Sequence, residues 1–138
     1  MTNKEIGRIG LSMAINYFTF NGYTISLPLN DTQWYDMVIE KDGIFSTVQC
    51  KATQTENDEI ILRSCGGTKG NEYDTILNHP ELDYLFCVNK NFNIWLIPVK
   101  DIIKAGITKS IKLRKKLLPN AHPALDTTIY QVKIWDRE

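Results

Sequence analysis

Apolar side chains recur at helical spacing over residues 3–21, where Ile6, Ile9, Met13, Ala14 and Tyr17 fall on one side. Asn3 offers a cap for the start and Asn21-Gly22 a stop, so the pattern predicts an opening helix. The period then switches to two, the signature of strands. "YTISLP" (23–28) reads as a short strand ending at a proline, and "WYDMVIE" (34–40) and "IFSTVQCKAT" (44–53) read as two strands separated by "KDG". "EIILRSC" (59–65) is a further strand. "GGTKGNEYDTILNHPEL" (66–82) is a polar, glycine-containing connection with a helical turn expected around Asp74–Leu77. Residues 83–99 predict a hairpin that turns near Asn89–Asn91, and "KDIIKAG" (100–106) a short helix stopped by Gly106. Residues 107–125 are expected to be partly helical before Pro119 and Pro123 break them, and "DTTIYQVKIWD" (126–136) to form a last strand. The order predicts one α/β domain over residues 1–138, with a mixed central β-sheet flanked by helices. Neither a repeat nor a linker interrupts it.

Composition agrees with one ordinary core: 43% of the 138 residues are hydrophobic. Apolar runs such as "IWLIPV" (94–99) are too short to span a bilayer, and "MTNKEIGRIG" lacks the apolar stretch of a signal peptide, so a cytoplasmic protein with no membrane partner is expected. Cys50, Cys65 and Cys87 are widely spaced and read as small buried hydrophobes; with no CxxC and with His79 and His122 far apart, a structural zinc site is not expected. Formal net charge is zero, but it is unevenly spread. Residues 100–116 hold Lys100, Lys104, Lys109, Lys112, Arg114, Lys115 and Lys116 against Asp101, whereas residues 31–59 are rich in Asp and Glu.

The chemistry concentrates in the hairpin at 34–53. Asp42-Gly43 is a favoured pair for a two-residue type I′ loop. With those two residues in the loop, Lys41 faces Ile44, and counting back sets Asp36 opposite Gln49, with Cβ atoms roughly 5 Å apart, whereas a three-residue Lys41-Asp42-Gly43 loop would set Asp36 against Val48. Lys51 follows on the same face, while Met37, Val48 and Cys50 point to the other. A carboxylate and an amide oxygen are hard ligands suited to Mg²⁺, and the backbone carbonyl of Cys50 offers a third. A neighbouring lysine can position a water or stabilise charge on a phosphate. The same side chains equally describe the solvated face of an amphipathic hairpin.

The stretch "GYTISLPLNDTQWYDMVIEKDGIFSTVQCKAT" (22–53) resembles the core of the PD-(D/E)XK nuclease superfamily: a Gly-Tyr turn after a helix, a strand ending near proline, an aspartate at the start of a strand, a hairpin, then acid-x-Lys. "YDMVIE" with "VQCKAT" is most similar to the small subgroup of intron-encoded homing endonucleases, in which glutamine replaces the acid. The resemblance extends roughly over residues 4–99 and implies a restriction-endonuclease-like core and Mg²⁺-dependent cleavage of double-stranded DNA, with Mn²⁺ as an alternative ion. It implies Asp36 as the metal-binding aspartate, Gln49 in the second acidic position and Lys51 as the motif lysine. Many members also carry a helix glutamate ahead of the Gly-Tyr turn. The corresponding position here is Leu11, and Glu5 is the one glutamate of the helix that stands in for it as a fourth catalytic candidate.

Arg63, Ser64, Lys69, Lys109, Lys112, Arg114, Lys115 and Lys116 are candidate DNA phosphate contacts, each cation displacing a counterion. A chain of this size gains contact area and a second active site by forming a homodimer or homotetramer. Two other activities remain open at this level: a Holliday junction resolvase, and a catalytically silent nuclease fold that binds DNA or protein.

Overall fold

The computed structural model describes residues 1–63, 74–117 and 125–134. Helix α1 spans Asn3–Phe20. Thr2, rather than Asn3, is its cap: the Thr2 hydroxyl accepts from the Glu5 N–H and the Glu5 carboxylate accepts from the Thr2 N–H, a reciprocal capping box. Ile6, Gly10, Ala14 and Phe18 form a buried ridge four residues apart. The helix ends where Gly22 turns to φ +86, letting its own N–H reach the Thr19 carbonyl and the Tyr23 N–H reach that of Phe18.

Strands β1 (Thr24–Ser26), β2 (Met37–Lys41) and β3 (Ile44–Ala52) follow. They join β5 (Tyr84–Val88), β6 (Ile94–Pro98) and β8 (Gln131–Val132) in a six-stranded sheet of order β1-β2-β3-β5-β6-β8. The β3–β5 pair is parallel and the others are antiparallel, so the sheet is mixed, as expected. A separate ribbon pairs β4 (Glu59–Ile61) with β7 (Ser110–Lys112). Short helix α2 (Val99–Lys104) follows β6, and Gly106 at φ +77 closes the turn after it.

Two cores lie on opposite faces of the sheet. On one, Ala14 and Phe18 of α1 pack on Met37, Val48, Phe86 and Val88. On the other, Ile60 and Leu62, Ile111 and Leu113, and Val99 and Ile102 cover Leu85, Cys87, Trp95 and Ile97. The second layer is therefore a two-stranded ribbon with one short helix, where the sequence suggested helices.

Residues 110–112 correct the expectation of a helix beyond 107. Ile111 and Leu113 are both buried while Lys112 between them is exposed, a period of two that pairs with the alternation of Ile60 and Leu62. The final strand is likewise only Gln131–Val132. Asp126 accepts from the Thr128 N–H and winds residues 127–130 into a 3₁₀ turn, so the 126–136 strand is not formed as expected. The helical turn expected near 74–77 is a 3₁₀ turn at Ile76–Asn78. Ser64, Cys65, Lys69 and His122, with Pro119 and Pro123, lie outside the described residues. Among the described residues no helix is long and apolar enough to cross a membrane.

Candidate active site

The β2–β3 hairpin fixes the site. Asp42 and Gly43 stand at φ +55 and +80, the paired left-handed conformations of a type I′ loop. Lys41 pairs with Ile44 and Met37 with Val48, which is the register read from the Asp-Gly pair. One detail differs. The ladder begins at Met37, and the Asp36 N–H donates to the Val48 carbonyl at 2.8 Å, the residue already paired with Met37. Two residues of the incoming chain thus meet one of β3, as in a bulge, and Asp36 is not set squarely opposite Gln49.

The displacement re-aims the carboxylate. Asp36 Oδ2 accepts from the Cys50 N–H at 2.7 Å, a distance typical of a charge-assisted bond. Within a strand the N–H and C=O of one residue point to the same edge. The Cys50 carbonyl therefore faces the side on which Asp36 lies. The neighbouring carboxylate adds to burial in raising the Cys50 thiol well above its ordinary range, so Cys50 stays a neutral hydrophobe against the α1-side core.

Gln49 and Lys51 alternate with Val48 and Cys50 and face the ribbon side, beside their β5 partners Leu85 and Cys87. Gln49 Oε1 is buried and, among the described residues, meets no hydrogen-bond donor. An orphaned buried acceptor costs about 1–3 kcal/mol, so its retention points to a bound ion or an ordered water. A hard cation suits an amide oxygen, and the donor set of Asp36 carboxylate, Gln49 amide oxygen and Cys50 carbonyl fits Mg²⁺ or Mn²⁺. Lys51 is half-buried, and its charge acts on the Cys87 thiol, which burial pushes up to about 12.

Glu5 does not join this constellation. It lies in the first turn of α1, exposed, with its carboxylate engaged in the capping box. Leu11 packs against the core on the α1 side of the sheet. Among the described residues, no three His, Cys, Asp or Glu side chains converge as metal ligands.

The structure adds residues that the sequence did not single out. Trp34, two residues before Asp36, stacks on His79 at 4.0 Å between ring centroids and 21° between planes. His79 is held from both ring nitrogens, by Asp74 at 3.1 Å and Glu81 at 3.0 Å. On β3, the Thr47 N–H donates to Asp83 at 2.9 Å, and its hydroxyl bonds to the Glu81 carbonyl. These contacts buttress the approach to Asp36 and anchor β3. Their signal lay in chain-distant partners, which no local pattern reveals.

The basic candidates divide between two grooves. Arg63 and Lys109 line one with Glu59. Lys112, Arg114, Lys115 and Lys116 line another.

A family model described as PD-(D/E)XK endonuclease matches residues 1–129. No curated protein matches the chain. Among solved structures, the bacterial homing endonuclease I-Ssp6803I is similar, with a TM-score of 0.67 and 18% identity, over 94% of this chain and 86% of that one. At that identity the likeness speaks for the fold, which is restriction-endonuclease-like. With the family model spanning nearly the whole chain, and with an Asp, a Gln-x-Lys and the hairpin between them, the chain belongs to the PD-(D/E)XK endonuclease family.

Proposed function

We propose that this chain is a Mg²⁺-dependent endonuclease that hydrolyses phosphodiester bonds in double-stranded DNA, of homing or restriction-like type, and that it works as a homodimer or homotetramer. The observation that carries the reading is the buried Oε1 of Gln49, which meets no protein donor among the described residues, on the strand whose next residue, Cys50, holds Asp36. Asp36, Gln49 Oε1 and the Cys50 carbonyl are the groups that would hold the ion, which supplies Lewis-acid polarisation and charge neutralisation at the phosphate. Lys51, on the same strand face as Gln49, orients the attacking water, assists loss of its proton and offsets charge developing on the phosphate oxygens. The Cys50 N–H fixes one carboxylate oxygen of Asp36, so that its other oxygen keeps a set direction. A paired assembly gives each strand of a duplex its own site.

Cleavage of linear, branched and random-library DNA in Mg²⁺ and in EDTA tests this. Metal-dependent cutting of linear duplex that is lost in Lys51→Ala and Asp36→Asn supports it. Cutting of four-way junctions alone moves the assignment to a resolvase.

A second reading has an observation of its own. Glu5 is engaged in capping and Leu11 stands where many members carry a glutamate, which leaves Asp36 as the one carboxylate placed at the site among the described residues. That favours a silent nuclease fold. DNA binding without cutting in Mg²⁺ or Mn²⁺ would establish it.

A further inference from the structure

A groove of about 520 Å³ opens beyond the carboxyl ends of β3 and β5. One wall is the turn 56–58 that follows β3, a second is Lys90-Asn91 after β5, and the third is the segment 112–116 at the end of the ribbon. Five basic side chains line it against Glu56 and Asp58, a formal excess of three positive charges (five minus two). Glu56 is taken by Lys90 at 2.7 Å, and that lysine holds its carboxyl below the usual range.

The basic wall is built rather than loose. The Arg114 N–H donates to the Thr127 hydroxyl at 2.9 Å, and the Arg114 carbonyl accepts from Trp95 Nε1 at 3.2 Å. Thr127 is buried, and its hydroxyl also donates to the Lys112 carbonyl at 3.0 Å. Opposite, the Leu113 N–H donates to the Asp58 carbonyl at 2.9 Å, and Asp58 Oδ2 accepts from Asn89 at 3.2 Å. Within this frame the Arg114 Nε–H is buried and, among the described residues, meets no acceptor. Asp58 Oδ1 is likewise buried without a protein donor among the described residues.

The position is as telling as the charge. Because β3 and β5 are parallel, their carboxyl ends emerge together, and the groove is built on the turns that follow. Lys51 pairs with Cys87 and Cys87 with Trp95, so at a strand spacing of about 4.8 Å the backbone of Trp95, whose side chain bonds Arg114, lies about 10 Å across the sheet from that of Lys51.

We propose that this groove is a backbone-anchoring subsite. Lys112, Arg114, Lys115 and Lys116 grip phosphates of the DNA strand that presents its scissile phosphate to Lys51. The inference deepens the nuclease reading and rests on it for the register with Lys51. Its content is that the cations of this groove, rather than the other basic residues, carry the electrostatic part of DNA affinity.

The test is equilibrium binding of a labelled linear duplex in EDTA, where nothing is cut, across a salt series. Lys112 and Lys115 are exposed, so Lys112→Gln/Lys115→Gln leaves the cores intact. Lys100→Gln/Lys104→Gln on α2, at the opposite end of β6, removes equal charge away from the groove. Each lost phosphate contact lowers the slope of log K against log salt by about 0.9, so the groove pair lowers it by about 2 and the α2 pair leaves it unchanged. An unchanged slope in the groove pair, an equal fall in both pairs, no DNA binding by the parent chain, or tighter binding to an RNA duplex of the same sequence overturns the proposal. If the parent chain cuts in Mg²⁺ while the groove pair keeps its slope, the groove falls alone. If the parent chain does not cut but the groove slope behaves as expected, catalysis falls and the anchoring site stands.

Discussion

Replacing Gln49 with methionine separates a ligand from a packing group. The side chains are similar in length and both are unbranched, so the substitution trades the amide for a thioether at nearly constant shape. In the metal-free protein the Oε1 atom is buried without a partner, and that desolvation costs about 1–3 kcal/mol. Gln49→Met should therefore stabilise the protein in EDTA by about that amount. For a domain of this size the shift is an increase in Tm of roughly 3–10 °C. Adding Mg²⁺ should reverse the order. An ion bound only by the native fold adds RT ln(1 + [L]/Kd), about 2.7 kcal/mol at a hundred times Kd, and a soft thioether is a poor ligand for it. Thermal unfolding by circular dichroism, in EDTA and in a Mg²⁺ series, reads both effects on both proteins. A lower Tm for Gln49→Met in EDTA would mean that Oε1 already has a favourable partner. An equal Mg²⁺ shift in the two proteins would mean that residue 49 does not hold the ion. Either result refutes the reasoning.

Two further expectations follow from packing and titration. A Cβ at Gly10 would meet Ala52 Cβ at 3.6 Å and Val88 Cγ2 at 3.7 Å, ordinary contacts, so Gly10→Ala should raise stability by about 0.5–1 kcal/mol in urea unfolding; a loss of that size would show that α1 sits closer to the sheet. Burial holds the Cys87 thiol neutral up to about 12, well above an unfolded thiol near 9. Between those values the unfolded chain has released a proton that the native one keeps, so stability is full below about pH 9 and falls as pH rises toward 12, by up to about 1.4 kcal/mol per pH unit from this group. Urea unfolding at pH 8 and pH 11, with Cys87→Val as the control that flattens the slope, checks it.

What the sequence conveyed well was local and conformationally demanding. Asp42-Gly43 can adopt paired positive φ where most residues cannot, so one dipeptide set the register of β2 against β3 and with it the faces of Gln49 and Lys51. The Asn21-Gly22 stop is legible for the same reason. The displacement of Asp36 was not, because it depends on two N–H groups competing for one carbonyl, and nothing in "WYD" marks that. Residues 107–117 misled because lysines at regular intervals resemble a solvated helix face. Ile111 and Leu113 gain burial only by alternating against Ile60 and Leu62, and that partner strand lies far off in sequence. The 126–136 segment failed as a strand because the Asp126 side chain captures a backbone N–H locally and Thr127 is drawn into the fold by the Arg114 N–H and the Lys112 carbonyl. The Trp34–His79 stack joins an aromatic and a ring charged only when protonated, each unremarkable in its own stretch.

The proposed divalent ion would be held by Asp36, the buried amide oxygen of Gln49 and the Cys50 carbonyl. Anomalous diffraction from crystals soaked in Mn²⁺ measures this directly. The expected map has a peak about 2.1–2.3 Å from Asp36, Gln49 Oε1 and the Cys50 carbonyl oxygen, and none there in Gln49→Met crystals. A peak confined to other carboxylates, such as Asp74 and Glu81 around His79, with nothing beside Gln49, would contradict it.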